Sequence, residues 1–346
     1  MPLQRKKSPT FQDIAQKTGF SRSTISLALR NHPSIPEKTR LKIVKAASAI
    51  GYKPNPLVAA LMAQIRDKKR IHEEKIAIIF RFNETMSERK HYDTFYPALY
   101  DAIRTHATKQ GFGIDEFYLG KDPLPEKRLS KILSTRGTHG VIFFPGQDDP
   151  QLEYPELDWE LFATVIIGYN TDKKNHHQVA SDYTFDIDAS MDRIHAKGHH
   201  RIGLAITRTV SKSTNDAWLS RYLLDQQNHP SEAKIPPFIS ETVHFEKEKV
   251  VKWYHEHQPE VILVAGRNVY DILIEAGVKI PQEVKIVNLV QRKETGLAGV
   301  NPHTGEVGRA AIDLLASLLR SNQIGLPDFP RSVAIKGHWV EGKSYS

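Results

Sequence analysis

The segment Thr10–Leu29 constrains the fold of this chain more than any other, because it has the pattern of two short helices joined by a tight turn. Thr10 and Ser21 are residue types that favour helix starts, and Gly19 between the two stretches allows the backbone to turn. The positions of the second stretch that face inward are apolar, namely Ile25, Ala28 and Leu29. This pattern predicts a helix-turn-helix, whose second helix enters the DNA major groove.

Positive charge is concentrated in the same part of the chain. Residues 1–70 contain 15 Lys or Arg and three Asp or Glu, a formal charge of +12, whereas the whole chain carries +8. Residues 71–346 are therefore mildly acidic, at −4. A basic segment attached to an acidic remainder is typical of a protein with one nucleic-acid-binding module. A solvated basic tail is the alternative, but such tails lack capped helices with periodic apolar positions.

A third helix and a further short apolar helix are expected next. Pro36 suits the first turn of the third helix. Apolar residues then recur at helical spacing, at Leu41, Val44, Ala47 and Ile50. We expect the three helices to bury these apolar stripes against one another. Residues 55–64 are expected to form a short apolar helix. Such a helix is marginal by itself and therefore needs a partner, either its twin in a dimer or a DNA groove. The charged run 66–70 indicates a linker.

The segment Thr10–Leu61 resembles the DNA-binding domain of the lactose-repressor (LacI/GalR) family of bacterial transcription regulators. The segments that match the family are Asp13–Ala15, Gly19–Ser21, Ser23–Ser26, Thr39–Arg40, Gly51–Asn55 and a hinge that ends in Leu61. The resemblance implies a homodimer that reads two half-sites of a near-palindromic operator. It also implies that paired hinge helices fold as they enter the minor groove.

The resemblance also implies roles for individual residues. By this resemblance, Arg22, Ser23 and Leu27 contact bases. An arginine that binds guanine O6 and N7 supplies about 1–3 kcal/mol of discrimination against the other bases. Phosphate contacts, which fix register without reading sequence, fall on hydroxyl residues, namely Thr10, Ser21, Thr24, Ser26 and Thr39. The minor-groove hinge contacts fall on Asn55, Val58 and Leu61, where Leu61 wedges into a central base step and kinks the DNA.

Two qualifications apply to the hydroxyl residues. Helix capping alone is the alternative role of Thr10 and Ser21, although a capped helix start is also an anion site. Pro36 replaces the serine that the family usually has before its third helix. One hydroxyl cap and one phosphate donor of the family pattern are therefore not expected here.

Residues 71–346 have an alternation of strands and helices that predicts parallel sheets covered by helices. The predicted strands are 75–80, 141–144, 164–167, 202–206, 261–264 and 284–287, and the predicted helices include 96–109, 186–196 and 308–319. The length suits two lobes. The resemblance adds a periplasmic-binding-protein-like body with a ligand cleft between the lobes. The predicted domains are a helix-turn-helix domain at 1–54, a hinge helix and linker at 55–70, and a two-lobed effector-binding and dimerisation domain at 71–346.

The predicted cleft departs from the sugar-responsive members of the family. Asn215 lies near the position where those members have an arginine, and residues 288–291 read Asn-Leu-Val-Gln where they have a pair of aspartates. No sugar is therefore assigned as effector. The candidates for the cleft are polar or aromatic residues at strand ends and loops, namely Asn83, Tyr92, Asp182, Arg208, Trp218 and Arg267. The alternative for each of them is a side chain that only packs within the protein or is only exposed to solvent.

Catalytic, cofactor and metal sites find little support in the sequence. No P-loop is present, and Gly111 and Gly113 lack the third glycine of a dinucleotide-binding fingerprint. The chain has no cysteine, and its histidines lack the spacing of a zinc site. We therefore expect no metal, no cofactor and no enzymatic activity.

The chain is expected to be a cytoplasmic regulator. Zero cysteines fit a reducing compartment, and no stretch has the roughly 18 consecutive apolar residues of a membrane span. We therefore expect a transcriptional regulator, in the common case a repressor, that binds operator DNA as a homodimer and responds to a small-molecule effector, with a sugar or a related metabolite as the family example. The alternatives are a solute-binding protein, which would need an export signal, and a sugar-processing enzyme of the same body fold.

Overall fold

The structure is a computed structural model that describes residues 11–29, 35–50, 74–90, 95–122, 124, 126–147, 154–169, 175–228, 234–292 and 296–346. The chain divides into two compact units, Met1–His72 and Glu73–Ser346. Several predicted site residues lie outside the described residues, namely Thr10, Asn55, Val58, Leu61 and Tyr92. The predicted hinge helix lies outside them as well.

The first unit contains three helices, α1 (Phe11–Thr18), α2 (Arg22–Leu29) and α3 (Glu37–Ala49). The turn between α1 and α2 passes through Gly19, whose φ of +74° is one that favours glycine. The helices enclose a small apolar core of Ile14, Ile25, Ala28, Ile43 and Ala47. The predicted helix-turn-helix and its third helix are therefore confirmed.

The predicted inward stripe of α3 was wrong in two of its four positions. Leu41 and Val44 are 57% and 42% exposed, whereas Ile43 is fully buried. The two possible stripes of α3 are almost equally apolar in sequence, so periodicity alone did not separate them. The rotation of α3 against α1 and α2 decides which stripe is buried. Pro36 was predicted to lie in the first turn of α3, but it directly precedes that turn.

The first lobe of the second unit begins with alternating strands and helices. Its elements are β1 (Glu74–Arg81), α4 (Met86–Arg89), α5 (Phe95–Lys109), β2 (Phe112–Tyr118), α6 (Glu126–Thr135), β3 (Gly140–Gln147), a 3₁₀ turn (Trp159–Leu161), β4 (Ala163–Ile167) and β5 (His177–Ser181). Ile76, Ile78 and Phe80 of β1 pack on one face of the sheet, and Ala77 and Ile79 pack on the other. A strand buried on both faces explains the continuous apolar run in the sequence.

The second lobe follows. Its elements are α7 (Tyr183–Ala196), β6 (Ile202–Thr207), α8 (Arg208–Ser213), α9 (Ala217–Gln227), β7 (Phe238–Ser240), α10 (Lys247–His257), β8 (Val261–Val264), α11 (Asn268–Glu275), β9 (Lys285–Asn288) and β10 (Ala298–Asn301). The chain then returns to the first lobe with α12 (Thr304–Arg320) and β11 (Ser332–Ile335), and ends in the second with β12 (His338–Val340) and a 3₁₀ turn (Lys343–Tyr345).

Each lobe has one six-stranded sheet. The strand order is β11-β5-β4-β3-β1-β2 in the first lobe and β12-β10-β9-β8-β6-β7 in the second. The strand pairs are parallel except for β10 with β12, which is antiparallel. The predicted α/β body with parallel sheets is therefore confirmed, and so are the six predicted strands. Their ends agree within one residue, except that β3 continues to Gln147, three residues beyond the predicted end at 144.

Three crossovers connect the two lobes, at residues 181–183, 301–304 and 335–338. They are hydrogen-bonded to one another. Ser181 Oγ donates to the carbonyl of Pro302 at 3.2 Å, and the backbone N–H of Asp182 donates to the carbonyl of Ile335 at 2.8 Å. The three connections therefore form one linked hinge between the lobes.

Candidate DNA-binding surface and inter-lobe cavity

The start of α2 carries a cluster of hydroxyl groups around Ser21. The Oγ atom of Ser21 accepts a hydrogen bond from the backbone N–H of Thr24 at 3.1 Å, as its predicted capping role requires. It also lies 2.7 Å from Ser23 Oγ and 2.9 Å from Thr24 Oγ1. A capped helix start with spare hydroxyl groups is suited to a phosphate, because the helix dipole and the donors favour an anion at the same place.

The residues predicted to read bases lie at the same helix. Arg22 and Ser23 are exposed in its first turn, and Leu27 is half-buried on its last turn. The guanidinium of Arg22 forms a hydrogen bond with the side-chain oxygen of Gln12 on α1. Gln12 therefore orients Arg22, and its contribution was missed because only the tertiary structure brings α1 beside the start of α2.

Two of the remaining residues that were predicted to contact DNA are less exposed than Arg22 and Ser23. Thr24 on α2 and Thr39 on α3 are half-buried. The side chain of Ser26 lies outside the described residues. Exposed lysines surround the helices, namely Lys17, Lys38, Lys42 and Lys45, and they suit contacts with phosphate that carry no sequence information.

A cavity of about 310 Å³ lies between the two lobes of the body. In the first lobe, the cavity is lined by α5, by the ends of β3, β4 and β5, and by the start of α12. Lining residues from these elements include Phe95, Tyr96, Gly146, Gly168, Ser181 and Thr304. The second lobe contributes the starts of α7 and α9, the helix α8 and the loops after β8 and β9, represented by Tyr183, Val210, Thr214, Trp218, Gly266 and Arg292. Parallel α/β sheets bind ligands in this way, outside the carboxyl ends of their strands.

Aromatic rings form much of the cavity wall. The ring of Tyr183 meets that of Trp218 edge to face at 5.3 Å between centroids, and Phe95 meets Tyr96 in the same way at 5.2 Å. Burial raises the pKa of the Tyr183 hydroxyl above its usual value, so this group is a neutral phenol at every physiological pH. The wall is therefore largely apolar, with hydroxyl groups at a few points.

Arg292 is the only charged side chain among the described residues that line the cavity. It follows β9 in the second lobe, and its guanidinium lies 5.0 Å from the centre of the Phe95 ring in the first lobe. Attraction between a cation and an aromatic face is favourable at this distance. Arg292 was not among the predicted effector contacts, although its position just beyond the carboxyl end of a strand is a usual place for a ligand contact.

The loops on the floor of the cavity are fixed by Asn288. Its side chain is fully buried, and its Oδ1 atom accepts hydrogen bonds from the backbone N–H groups of Gly266 at 2.9 Å and Val290 at 3.1 Å. Gly266 and Val290 both line the cavity. Asn288 therefore holds the loops after β8 and β9 in one arrangement, instead of serving as a ligand clamp.

Of the described residues predicted to contact an effector, Trp218 lines the cavity and four others do not. Asn83 lies exposed after β1. Asp182 caps α7 by accepting the backbone N–H of Phe185 at 3.1 Å, although its neighbours Ser181 and Tyr183 both line the cavity.

The two predicted arginines form ion pairs away from the cavity lining. Arg208 pairs with Glu241 at 2.8 Å, and Arg267 pairs with Asp271 at 2.8 Å on α11. Strand-end position therefore predicted residues at the edge of each sheet where the cavity lies, but it did not show which side chains line the cavity.

In the part of the chain that the structure describes, no group of three or more His, Asp or Glu side chains is arranged to hold a metal ion. Likewise, no described helix is long and apolar enough to cross a membrane.

Two family models match the chain. Residues 10–55 match the model described as bacterial regulatory proteins, lacI family. Residues 191–345 match the model described as periplasmic binding protein-like domain. The first match covers the three helices of the first unit, and the second match covers the second lobe and the return through the first.

Individual relatives agree with these matches. The chain is 21% identical, over 90% of its length and 94% of the relative's, to the uncharacterized HTH-type transcriptional regulator YkvZ of Bacillus subtilis strain 168. A structure of the transcriptional regulator CelR in complex with cellobiose has a TM-score of 0.56 at 17% identity, with 97% of this chain and 99% of that chain covered. The Lac repressor dimer bound to operator and the anti-inducer ONPF has a TM-score of 0.58 at 15% identity, with 98% of this chain and 99% of that chain covered.

The two structural neighbours share the fold of the chain from the helix-turn-helix to the last strand, and the curated relatives are transcriptional regulators. A DNA-binding helix-turn-helix unit and a two-lobed ligand-binding fold are thus combined in one polypeptide. The chain thus carries a DNA-binding domain of the lacI family of bacterial regulatory proteins at residues 10–55, and over 90% of its length it is similar to a transcriptional regulator.

Proposed function

We propose that this regulator binds a near-palindromic operator as a homodimer, and that a small molecule in the inter-lobe cavity changes its affinity for that operator. The observation that carries the proposal is the exposed pair Arg22 and Ser23 at the capped start of α2. Repression is the proposed outcome, and the cytoplasm is the proposed location. No catalytic reaction is assigned.

The proposed base contacts are those of Arg22, Ser23 and Leu27. Arg22 is exposed and is oriented by Gln12 on α1, which supports a directed contact with a guanine. The proposed phosphate contacts are Thr10, Ser21, Thr24, Ser26 and Thr39. The hydroxyl cluster around Ser21 supports this role, because it lies at the positive end of α2.

The proposed minor-groove contacts are Asn55, Val58 and Leu61. A Leu61→Ser variant is expected to bind the operator more weakly and to bend it less, because it lacks an apolar side chain to unstack a base step. Non-specific binding is expected to stay nearly unchanged, since that binding depends on phosphate contacts. Bending that persists unchanged in this variant contradicts the proposed wedge.

The effector part of the proposal is supported by the position of the cavity and the linked hinge. Both lobes line the cavity, and three hydrogen-bonded crossovers connect the lobes. A ligand that binds one arrangement of the lobes more tightly than another shifts the equilibrium between them. Such coupling between two sites is typically about 1–3 kcal/mol.

The test begins with selection of operators from a random pool of duplex DNA by the full chain. We expect a near-palindromic site, a stoichiometry of two chains per duplex in sedimentation, and loss of preference at one base pair of each half-site in Arg22→Ala. Enrichment of no sequence contradicts specific DNA binding, and a complex with one chain per site contradicts the homodimer.

A further inference from the structure

We propose that the inter-lobe cavity binds a small organic anion with an apolar or aromatic body, whose anionic group pairs with Arg292 and which supplies a hydrogen-bond acceptor to the indole N–H of Trp218. This inference rests on the proposed function, in which the cavity is the effector site. It adds the chemical class of the effector.

The charge of the cavity favours an anion. Arg292 is half-buried and remains protonated at every physiological pH. No Asp or Glu occurs among the described lining residues, so the described part of the wall carries a net positive charge. Asp182, which lies between the lining residues Ser181 and Tyr183 in sequence, is engaged in capping α7. Apolar surroundings strengthen the attraction between Arg292 and an anion, because the local dielectric constant is low.

Trp218 provides a second, independent indication. Its side chain is 1% exposed, it lines the cavity, and its indole nitrogen has no acceptor among the described residues. An indole N–H is a donor only, and a buried donor without an acceptor is unfavourable. A ligand oxygen recovers this hydrogen bond, whereas a purely apolar ligand does not.

The other polar groups of the wall favour an apolar ligand body. The hydroxyl groups of Ser181, Ser213 and Thr214 donate to backbone carbonyls within the protein, at 3.2, 2.9 and 2.9 Å. A neutral sugar presents many hydroxyl donors, yet no Asp, Glu, Asn or Gln is found among the described lining residues to accept from them. Aromatic and aliphatic side chains make up most of the wall, and they suit an apolar body.

The size of the cavity agrees with a compact ligand. Its volume of about 310 Å³ lies at the lower end of the range of about 300–1,000 Å³ that is usual for small-molecule sites. An aromatic ring with one short anionic substituent suits this space better than an oligosaccharide.

The same arginine connects ligand binding to the relation between the lobes. The guanidinium of Arg292 in the second lobe faces the ring of Phe95 in the first. An anion that binds Arg292 competes for, or reinforces, this contact between lobes. Ligand occupancy therefore acts on a contact between the two lobes, and a ligand that binds one arrangement of the lobes more tightly shifts the equilibrium toward it.

The test measures ligand binding to the full chain by calorimetry and by thermal shift. The carboxylate arm uses phenylacetate and indole-3-acetate, and the phosphate arm uses phenyl phosphate. The neutral arm uses phenylacetamide, a matched analogue of phenylacetate, and cellobiose. We expect at least one anion to bind at least tenfold more tightly than every neutral compound.

Variants then assign the binding to the cavity. Arg292→Gln is expected to weaken anion binding at least tenfold, and Trp218→Phe, which keeps a ring and removes the N–H, about threefold. Arg267→Gln is the matched control, since Arg267 is an exposed arginine of the same lobe that does not line the cavity, and it is expected to bind as the unmodified chain does. Circular dichroism checks that each variant is folded.

Three results overturn the assigned ligand class. The first is a neutral compound that binds as tightly as the best anion, and the second is that none of the anions binds. The third is anion binding that is undiminished in Arg292→Gln.

An operator-binding assay with the same compounds separates this inference from the proposed function. A change in operator affinity with cellobiose and not with the anions leaves the proposed function intact and removes the ligand class. Anion binding that depends on Arg292 without any change in operator affinity leaves the ligand class intact and removes the effector role.

Discussion

The carboxylate of Asp186 on α7 accepts a hydrogen bond of 2.8 Å from the backbone N–H of Gly337, which lies on the last crossover between the lobes. A Cβ atom at residue 337 would lie 2.8 Å from Asp186 Oδ1 and 2.8 Å from the carbonyl oxygen of Asn301. Glycine is therefore required for this close approach. The contact fixes the crossover between β11 and β12 against the start of the second lobe.

The buried carboxylate of Asp186 makes the stability of the body depend on pH. Burial raises its pKa from an ordinary value of 3.8 to about 6. Because the pKa in the folded state is higher than in the unfolded state, the stabilising contribution of the protonated form is complete below about pH 4 and is lost as pH rises through 6. We expect Asp186→Asn, which keeps an acceptor for Gly337, to remove a pH-dependent change of roughly 2–3 kcal/mol in the free energy of unfolding.

Urea denaturation of the full chain and of Asp186→Asn between pH 4.5 and pH 7.5 measures this difference. The variant is expected to be the more stable protein at pH 7.5 and to lose that advantage at pH 4.5. Asp192→Asn is the control, since Asp192 is exposed on the same helix. The same pH profile in both variants contradicts the role of Asp186.

Gly146 keeps the cavity open beside Tyr96. Its φ is +82°, and a Cβ atom there would lie 2.6 Å from Tyr96 Cζ. We expect Gly146→Ala to lower the free energy of unfolding by about 1–2 kcal/mol through backbone strain and by about 1–3 kcal/mol more through the clash, and to abolish ligand binding in the cavity.

Gly168→Ala is the matched comparison for Gly146→Ala. Gly168 also lines the cavity and has a φ of +95°, but a Cβ atom there would meet Pro145 Cβ at an ordinary 3.6 Å. Only the strain of about 1–2 kcal/mol is expected. Calorimetric unfolding of both variants measures the difference, and equal losses of stability would contradict the clash with Tyr96.

Ile25 is expected to be essential for the first unit. It is fully buried in a core of few residues, and truncation of a buried isoleucine to alanine costs about 2–5 kcal/mol. Ile25→Ala should abolish operator binding, while the thermal transition of the body stays in place. Leu41→Ala, at an exposed position of α3, should leave the stability of the first unit within about 0.5 kcal/mol of the original. Scanning calorimetry with a DNA-binding assay checks both results.

Arg22 is expected to read one base pair of each half-site. Arg22→Ala should reduce discrimination at that position by about 1–3 kcal/mol, with a smaller effect on non-specific DNA. Binding to a set of operators with single substitutions measures the change. Lys45→Ala is the comparison, since Lys45 is an exposed cation of α3 and should weaken binding to all sequences alike. A profile of Arg22→Ala that matches the original at every base pair is inconsistent with base contact.

The excess of positive charge in residues 1–70 predicts a steep dependence of operator affinity on salt. Their formal charge of +12 allows several phosphate contacts, and each contact lowers the slope of log K against log salt by about 0.9. Fluorescence anisotropy with labelled operator between low and moderate salt gives this slope. An affinity that stays constant over this range rules out a binding mode based on phosphate contacts.

The sequence by itself determined the helix-turn-helix and the parallel strands. Capping at Ser21, the turn at Gly19 and the apolar run 75–80 are local patterns whose physical causes act between residues close in the chain. The concentration of basic residues in the first 70 is likewise a property of composition. These features needed no knowledge of which distant elements meet.

Only the tertiary structure decided which side chains turn inward. The burial of Ile43 in place of Leu41 depends on how α3 is rotated against two other helices. Arg292 and Phe95 come from different lobes and meet because the carboxyl ends of two sheets face one cavity. Arg208 and Arg267 have equally suitable positions in sequence, yet each pairs with a nearby carboxylate. Such contacts between distant residues depend on the packing of whole lobes, which local periodicity does not encode.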